Sequence, residues 1–476
     1  MTKRPNIMFI MCDDLGYGDT GFNGNEVIKT PCLDALRGEG ARFTRFYAGG
    51  PVCSPTRGTC LTGRHYSRYG ITHANVGCLP SQEITLARMT RSLGYTTGHF
   101  GKWHLGTLDR EYSGNTARRP AIEYAPPWER DYDTSFVTEF CAPTWDPGRK
   151  YDPETMERTD EPWGSPYYCD GEKVTEMLLG CDSKHIADRA ETFIRDAAAR
   201  EQPFLAVVWF HAPHSPVFAG PDFLAMYEDE DIDRAHYYGA VTAMDRQVGR
   251  LNDLVKELGI EDDTIVWFCS DNGPEGRGNP ESHADRRFRR HCGSTGGLRG
   301  RKRSLFNGGV GVPSLVKLPN LVVPGSKFTT PCSTLDYFPT VRDLLGYRMP
   351  DDRPLDGASL IPLLRGDSAI RPVPIPYRFL GTEHEMFGSP TLALVDNDHK
   401  FLTNLSRDGT DDMLFDLDAD IKETTNLVGQ HPDRVREMRR QLEAFMASCR
   451  NSHFGRDYPE AYEPVNEFQE ITGTWA

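Results

Sequence analysis

Three short, almost wholly apolar runs, NIMFIMC (6–12), FLAVVWF (204–210) and TIVWFC (264–269), each give way at once to polar residues: Asp13-Asp14, His211 and Ser270-Asp271-Asn272. Runs this short and this apolar read as strands buried on both faces, the pattern of a parallel sheet covered by helices. The segments between them carry the other period. Val241, Met244, Val248, Leu251, Val255 and Leu258 recur at spacings of three and four, on one face of a helix that Gly259 ends. Further helices are predicted after Thr30-Pro31, with Gly38 or Gly40 as the stop, over TLARMTRSLG (85–94), and over 183–200 with Ser183 as N-cap. YTTGHF (95–100) adds a strand. Strands alternating with helices predict an α/β fold with a large, mostly parallel sheet. Ligands of such sheets collect beyond the C-terminal strand ends, which is where these polar clusters fall.

At 476 residues the chain exceeds the ~250–300 residues at which a single core stops growing, so one large domain and a smaller one are expected. STLDYFPTVRDLLG (333–346) reads as the last core helix of the large domain. After a Pro-rich stretch at 372–376, TLALVDNDHKFLTNL (391–405) alternates like antiparallel strands, and PDRVREMRRQLEAFMAS (432–448) is a closing amphipathic helix. The large domain is placed at 1–368 and the C-terminal subdomain at 369–476.

The net charge of −15 argues against a nucleic-acid partner, whose binding needs a basic surface. No apolar run approaches the ~18–20 residues of a membrane span. Positive charge is instead local, in Arg277, Arg286, Arg287, Arg289, Arg290, His291, Arg299, Arg301, Lys302 and Arg303. The start, MTKRPNIMFIMC, is short of the ~7–15 apolar residues of a signal peptide. This points to the cytoplasm for the chain as it stands, or to a periplasmic or secreted protein whose leader has been trimmed. The twelve cysteines include no C-x-x-C pair, which removes zinc-ribbon and thioredoxin readings.

Asp13-Asp14 and Asp271-Asn272 could supply the all-oxygen ligand set of a hard divalent cation, the neutral amide limiting repulsion; Ca²⁺ suits a loose geometry better than Mg²⁺. Taken alone, an acidic pair at a strand end is more often solvated or capping. GKWHLG (101–106) separates Lys102 and His104 by one residue, which on a strand puts both on one side. The prolines of HAPHSP (211–216) fix the backbone around two histidines, without a third soft ligand nearby for a zinc reading. Cys53 stands in the frame PVCSPTRGTCLTGR (51–64), and a thiol nucleophile there would need a depressed pKa and a partner base.

Together these pieces resemble one family, the type I, formylglycine-dependent sulfatases of the alkaline phosphatase superfamily. Cys53-Ser54-Pro55-Thr56-Arg57 followed by Leu61-Thr62-Gly63-Arg64 is similar to the signature at which a formylglycine-generating enzyme oxidises the cysteine to Cα-formylglycine. GYTTGHFGKWHLG (94–106) resembles the second family signature. PNIMFIMCDDLGYGD (5–19), HAPHSP, SDNGPE (270–275) and LFDLDADIKETTNL (414–427) resemble further family segments, in family order.

The resemblance implies an alkaline phosphatase-like α/β/α sandwich with a C-terminal α+β subdomain carrying an antiparallel sheet, and a sulfuric ester hydrolase acting on a sulfated carbohydrate or other small sulfate ester. It implies that Asp13, Asp14, Asp271 and Asn272 hold a Ca²⁺ that also touches the formylglycine hydrate at Cys53. Arg57 would hold that hydrate, and Lys102 and Lys302 would neutralise the sulfate. His104 would serve the hydrate, and His214 would protonate the departing alcohol, with His211 as second choice. Sulfate transfer to the hydrate and its later elimination would restore the aldehyde. The chain departs from the family at Asn307 and Gly311, where an acidic residue and an arginine are common, and Thr56 replaces a frequent serine. Two other readings compete: a phosphonate monoester or phosphodiester hydrolase on the same fold, and an inactive carbohydrate-binding relative. DREYSGNTARR (109–119) and RRFRRH (286–291) are candidate sugar contacts or plain solvated loops.

Overall fold

The computed structural model describes residues 4–114, 117–152, 155–276, 290–381, 387–406 and 408–469. Arg277, Arg286, Arg287 and Arg289 of the basic stretch, and Asn115 and Thr116 of 109–119, lie outside the described residues. Among the described residues a ten-stranded sheet forms the centre. In chain order its strands are β1 (Asn6–Cys12), β2 (Ala41–Phe43), β3 (Thr96–Lys102), β4 (Thr134–Thr138), β5 (Tyr167–Cys169), β6 (Glu172–Lys173), β7 (Phe204–Trp209), β8 (Thr264–Ser270), β9 (Ser314–Lys317) and β10 (Ser326–Phe328). They lie side by side as β10-β2-β9-β8-β1-β7-β3-β4-β5-β6. The middle five, β8-β1-β7-β3-β4, are parallel, flanked by antiparallel pairing at β8–β9 and β4–β5.

The period of two along each strand builds two cores. Ile7, Phe9 and Met11 enter one, Met8, Ile10 and Cys12 the other; Leu205, Val207 and Trp209 divide from Phe204, Ala206 and Val208 in the same way. The helices of seven residues or more among the described residues are α1 (Pro31–Glu39), α2 (Cys53–Thr62), α3 (Leu86–Ser92), α4 (Asp182–Ala199), α5 (Ile232–Glu257), α6 (Tyr337–Leu345) and α7 (Pro432–His453). Leu86 and Met89 of α3 and Phe338 and Val341 of α6 cover the first face, while α1, α4 and α5 cover the second. The stripe Val241, Met244, Val248, Leu251 and Val255 is wholly buried there, as its spacing predicts. Ser183 is not the N-cap of α4. Asp182 already belongs to the helix and Cys181 precedes it, because the Asp182 carboxylate turns inward to accept from Tyr167 and pair with His211.

A second sheet runs β11 (Ile375–Arg378), β12 (Leu392–Asp396), β13 (His399–Thr403) and β14 (Met413–Asp416), antiparallel throughout. The Pro-rich stretch thus enters a strand, and Pro376 is tolerated because β11 is an edge. Leu392, Leu394, Phe401 and Leu414 pack on Val435, Met438, Leu442 and Met446 of α7, which runs on past 448 to His453. The other face, through Ile375, Tyr377 and Phe415, packs on Tyr47, Val52, Phe306 and Leu335 of the main body. No helix among the described residues is long and apolar enough to cross a membrane. All the cysteines are free.

Candidate active site

The parallel strands end at one level. Met11 pairs with Trp209 and Cys269, and Trp209 with Gly101, so the residues just beyond them, Asp13-Asp14, Lys102 and Asp271-Asn272, meet at one edge. Gly101 permits this closeness. Its φ is +101°, and a Cβ there would sit 2.0 Å from the Trp209 carbonyl oxygen.

Lys102 is the last residue of β3, and His104 lies beyond it with φ +60°. The two are therefore not i and i+2 of one strand, as the hexapeptide suggested. The backbone turns after Trp103, held where the His104 N–H donates to the Glu139 carbonyl (3.1 Å) and the His104 carbonyl accepts from Arg118 Nη2 (2.8 Å).

Cys53 is the first residue of α2, a helix whose ten residues are all buried. Pro55 fits its first turn, where backbone N–H groups lack intrahelical partners. Thr56 donates to the Gly50 carbonyl (2.9 Å). Gly63 closes the helix in the left-handed conformation, φ +67°. Arg64 then pairs with Glu83 (3.1 Å) and Asp457 (2.8 Å). The frame around Cys53 is thus also the frame of a buried helix.

Three cations face three carboxylates here. Lys102 Nζ donates to Asp13 Oδ2 (2.5 Å), Lys302 Nζ to Asp14 Oδ1 (2.6 Å) and Arg57 Nη2 to Asp271 Oδ2 (2.7 Å). Asn272 Nδ2 donates to Asp14 Oδ1 (2.6 Å), which turns its Oδ1 away from that bond. Asp13 Oδ1, Asp14 Oδ2 and Asn272 Oδ1 are buried with no hydrogen-bond donor among the described residues. Ligand atoms of Asp13, Cys53 and Asp271 lie within 4.8 Å of one another, as do those of Asp13, Asp14 and His214. Bare oxygens converging in a buried pocket fit a hard divalent cation.

The fields follow from the packing. Burial and the Asp13 carboxylate push Asp271 up to about 7. Against burial, Lys102, His214 and Arg57 hold Asp13 well below the usual carboxylate range. Burial raises the Cys53 thiol, more than Lys102 and Lys302 lower it.

The two histidines of HAPHSP separate. His211 is fully buried, with Nδ1 2.9 Å from Asp182 and Nε2 2.7 Å from Thr138 Oγ1. His214 keeps partial access, donates from Nδ1 to the Ser215 carbonyl (2.6 Å) and turns Nε2 to within 3.7 Å of Asp14. Burial brings it down to about 4 despite Asp13 and Asp14. His104 Nε2 donates to Asn75 Oδ1 (2.5 Å), which leaves Nδ1 a buried lone pair without a donor among the described residues. Burial, with Lys102 and Arg118, keeps this ring neutral.

Arg118, within the 109–119 stretch expected to be a sugar contact or a solvated loop, is instead buried against the His104 carbonyl. Sequence reading missed Asn75, Glu139 and Phe140, whose ring lies 5.3 Å from His104 and 5.6 Å from Lys102 Nζ. It also missed Glu275, 3.8 Å from Lys302 Nζ, although SDNGPE contains it. The departure at Asn307 is accommodated from the second sheet. Lys400 donates to Asn307 Oδ1 (2.8 Å) and pairs with Glu423 (2.8 Å), whose carboxylate accepts the Asn307 N–H (2.6 Å).

Residues 5–347 match the family model described as Sulfatase. The chain belongs to the sulfatase family, the sulfuric ester hydrolases. Residues 300–452 of this sulfatase also match the C-terminal domain described as that of N-sulphoglucosamine sulphohydrolase. The chain is 32% identical over 425 residues to the steryl-sulfatase of Mus musculus, covering 77% of this chain and 66% of that protein. It is 31% identical over 388 residues to the N-acetylgalactosamine-6-sulfatase of Mus musculus, covering 78% and 68%. Among solved structures it is similar to Ps i-CgsB in complex with k-i-k-neocarrahexaose, at a TM-score of 0.76 and 27% identity, with 93% of this chain and 92% of that one covered.

Proposed function

We propose that this sulfatase removes sulfate from a sulfated carbohydrate, through Cys53 oxidised to Cα-formylglycine beside a Ca²⁺ held by Asp13, Asp14, Asp271 and Asn272. The observation that carries the reading is the place of Cys53. Its Sγ lies within 4.8 Å of carboxylate oxygens of Asp13 and Asp271, while burial disfavours the thiolate. A thiol there is a weak nucleophile, but a hydroxyl-bearing group at that position adjoins the cation site. The carbohydrate is supported by the sugar-bound relative Ps i-CgsB. The catalytic large domain is taken as 1–368 and the subdomain as 369–476.

When bound, the Ca²⁺ lowers the pKa of a hydroxyl and polarises sulfate oxygens; hydrated formylglycine supplies the hydroxyls. The chain's own residues do the rest. Lys102 and Lys302 flank the pocket and offset the charge of the sulfate oxygens. Arg57, stacked over Trp209 at 5.0 Å, is a fixed fork that orients residue 53. His104 Nδ1, bare and neutral, accepts a proton from residue 53. His214 Nε2 delivers one to the leaving oxygen, and the anionic substrate favours the protonated ring that burial disfavours. Because Cys53 is only 2% exposed in the folded chain, the formylglycine-generating enzyme must reach it before α2 is packed.

Peptide mapping of active protein, paired with turnover by Cys53→Ala, tests this. The aldehyde at position 53 and abolished aryl sulfate release are expected. Full turnover by the alanine variant, or an unmodified thiol in fully active protein, refutes it.

A further inference from the structure

A cavity of about 510 Å³ opens beside the loop that follows β7. Phe218 forms part of its wall, four residues after His214, so the two Cα atoms lie within ~14 Å. His236, also in the wall, belongs to the first turns of α5. α5 runs back across the sheet before the parallel strand β8, so its N-terminus sits at the same edge as the reacting centre. Arg290 ties the two regions together, donating to the Val217 carbonyl (2.7 Å) beside His291, which bonds Ser215.

The wall is rich in cations. Arg149, Arg158 and Arg290 line it against Asp146 and Glu157. Asp146 is already engaged, by Arg158 Nη1 (2.5 Å) and the Gly180 N–H (2.6 Å). Arg149 has a distant partner in exposed Asp160 (3.6 Å), and its Nε–H is buried without an acceptor among the described residues. The Arg290 guanidinium stacks on Phe218 at 4.4 Å and its Nε donates to Asp233 Oδ1 at 3.3 Å, so the fork is partly engaged at that edge. His236 accepts the Ala219 N–H at Nδ1 (3.0 Å), which makes Nε2 the protonated nitrogen of the neutral ring. Burial above all, and then the fields of Arg290 and Arg158, bring His236 down to about 3. Guanidinium forks and an imidazole N–H form a donor set for planar or tetrahedral oxyanions.

We propose that this cavity is a second anion subsite, which takes a sulfate or carboxylate on a sugar neighbouring the one that loses its sulfate. The substrate is then a polyanionic saccharide rather than a lone monosulfate. The inference rests on the carbohydrate reading above and narrows it.

Two probes separate the sites. Sucrose octasulfate presents several sulfates at once; 4-nitrocatechol sulfate presents one to the reacting centre alone. In calorimetric titrations, Arg149→Gln/Arg158→Gln is expected to bind octasulfate at least about tenfold more weakly than the wild type. Its kcat/KM on the aryl sulfate should stay within about twofold, since distant sites act independently. Unchanged octasulfate affinity overturns the subsite, and so does a parallel loss of aryl sulfate turnover. Should the double variant fail to fold, Arg149→Gln alone decides by the same two readings. Wild-type protein that binds octasulfate through these arginines yet releases no sulfate from any ester refutes the activity and leaves the subsite standing.

Discussion

His211 and His214 are three residues apart, and their surroundings divide the labour. His211 has both ring nitrogens engaged inside the protein, by Asp182 and Thr138, whereas His214 keeps Nε2 toward the pocket. If His214 protonates the leaving oxygen, its loss must hurt most where that oxygen is a poor leaving group. His214→Asn is expected to lower kcat/KM on a sugar sulfate by about 10²–10⁴-fold, and far less on 4-nitrophenyl sulfate, whose phenolate departs unaided. Equal losses on both substrates would sink the assignment. His211→Asn should instead reduce stability by about 1–3 kcal/mol, by taking the partner from buried Asp182 Oδ2 and leaving Tyr167 alone on Oδ1. The motif residues were legible because each stands in a short local pattern. Asn75, Arg118, Glu139 and Asp182 were not, because each acts on a histidine 29, 14, 35 or 29 positions away in the chain. No local spacing encodes such a partner, and nothing in the type of residue 104 announces its left-handed backbone.

Strands and helices were readable wherever one period ran unbroken, as in β1, β7, β8 and the buried stripe of α5. The errors fall where a side chain or a tight turn overrides the period, at the start of α4 and after β3. GKWHLG looked like strand because Lys, Trp and His alternate, but the glycines at its two ends both have positive φ, and the chain turns between them. Gly101 is the stricter of the two. Alanine there would occupy a left-handed conformation that costs about 1–2 kcal/mol, and its Cβ would press on backbone of β7 that cannot rotate away. Gly101→Ala is therefore expected to lower the unfolding free energy by at least about 2 kcal/mol. It should also lower kcat, because Lys102 is the next residue and would move off Asp13. Chemical denaturation alongside aryl sulfate kinetics measures both; a stable, fully active variant would show that β3 and β7 do not need this closeness.

At the scale of the whole molecule, the second sheet holds part of the proposed active site in place. The bond from the Asn307 N–H to Glu423, and that from Arg299 to the Glu423 carbonyl (3.0 Å), pin the segment that carries Lys302. Glu423 in turn is paired with Lys400 on β13, and neither side chain is exposed. The LFDLDADIKETTNL segment was recognisable in sequence, but its partner in β13 was not, since Lys400 on an alternating strand reads as a solvent-facing residue. A buried pair is costly to split and cheaper to remove whole. Lys400→Met, which strands the Glu423 carboxylate, is expected to lose about 3–5 kcal/mol. It should also lower kcat, as Glu423 shifts under the Lys302 segment. Lys400→Met/Glu423→Gln should recover part of that stability, with a coupling energy of about 0.5–3 kcal/mol in the double-mutant cycle, while kcat stays low because the Asn307 anchor is weakened in both. Unfolding curves and kcat for the four proteins decide it: additive losses of stability, or a wild-type kcat in the double variant, would mean that the sheet merely covers the large domain and does not position its lysine.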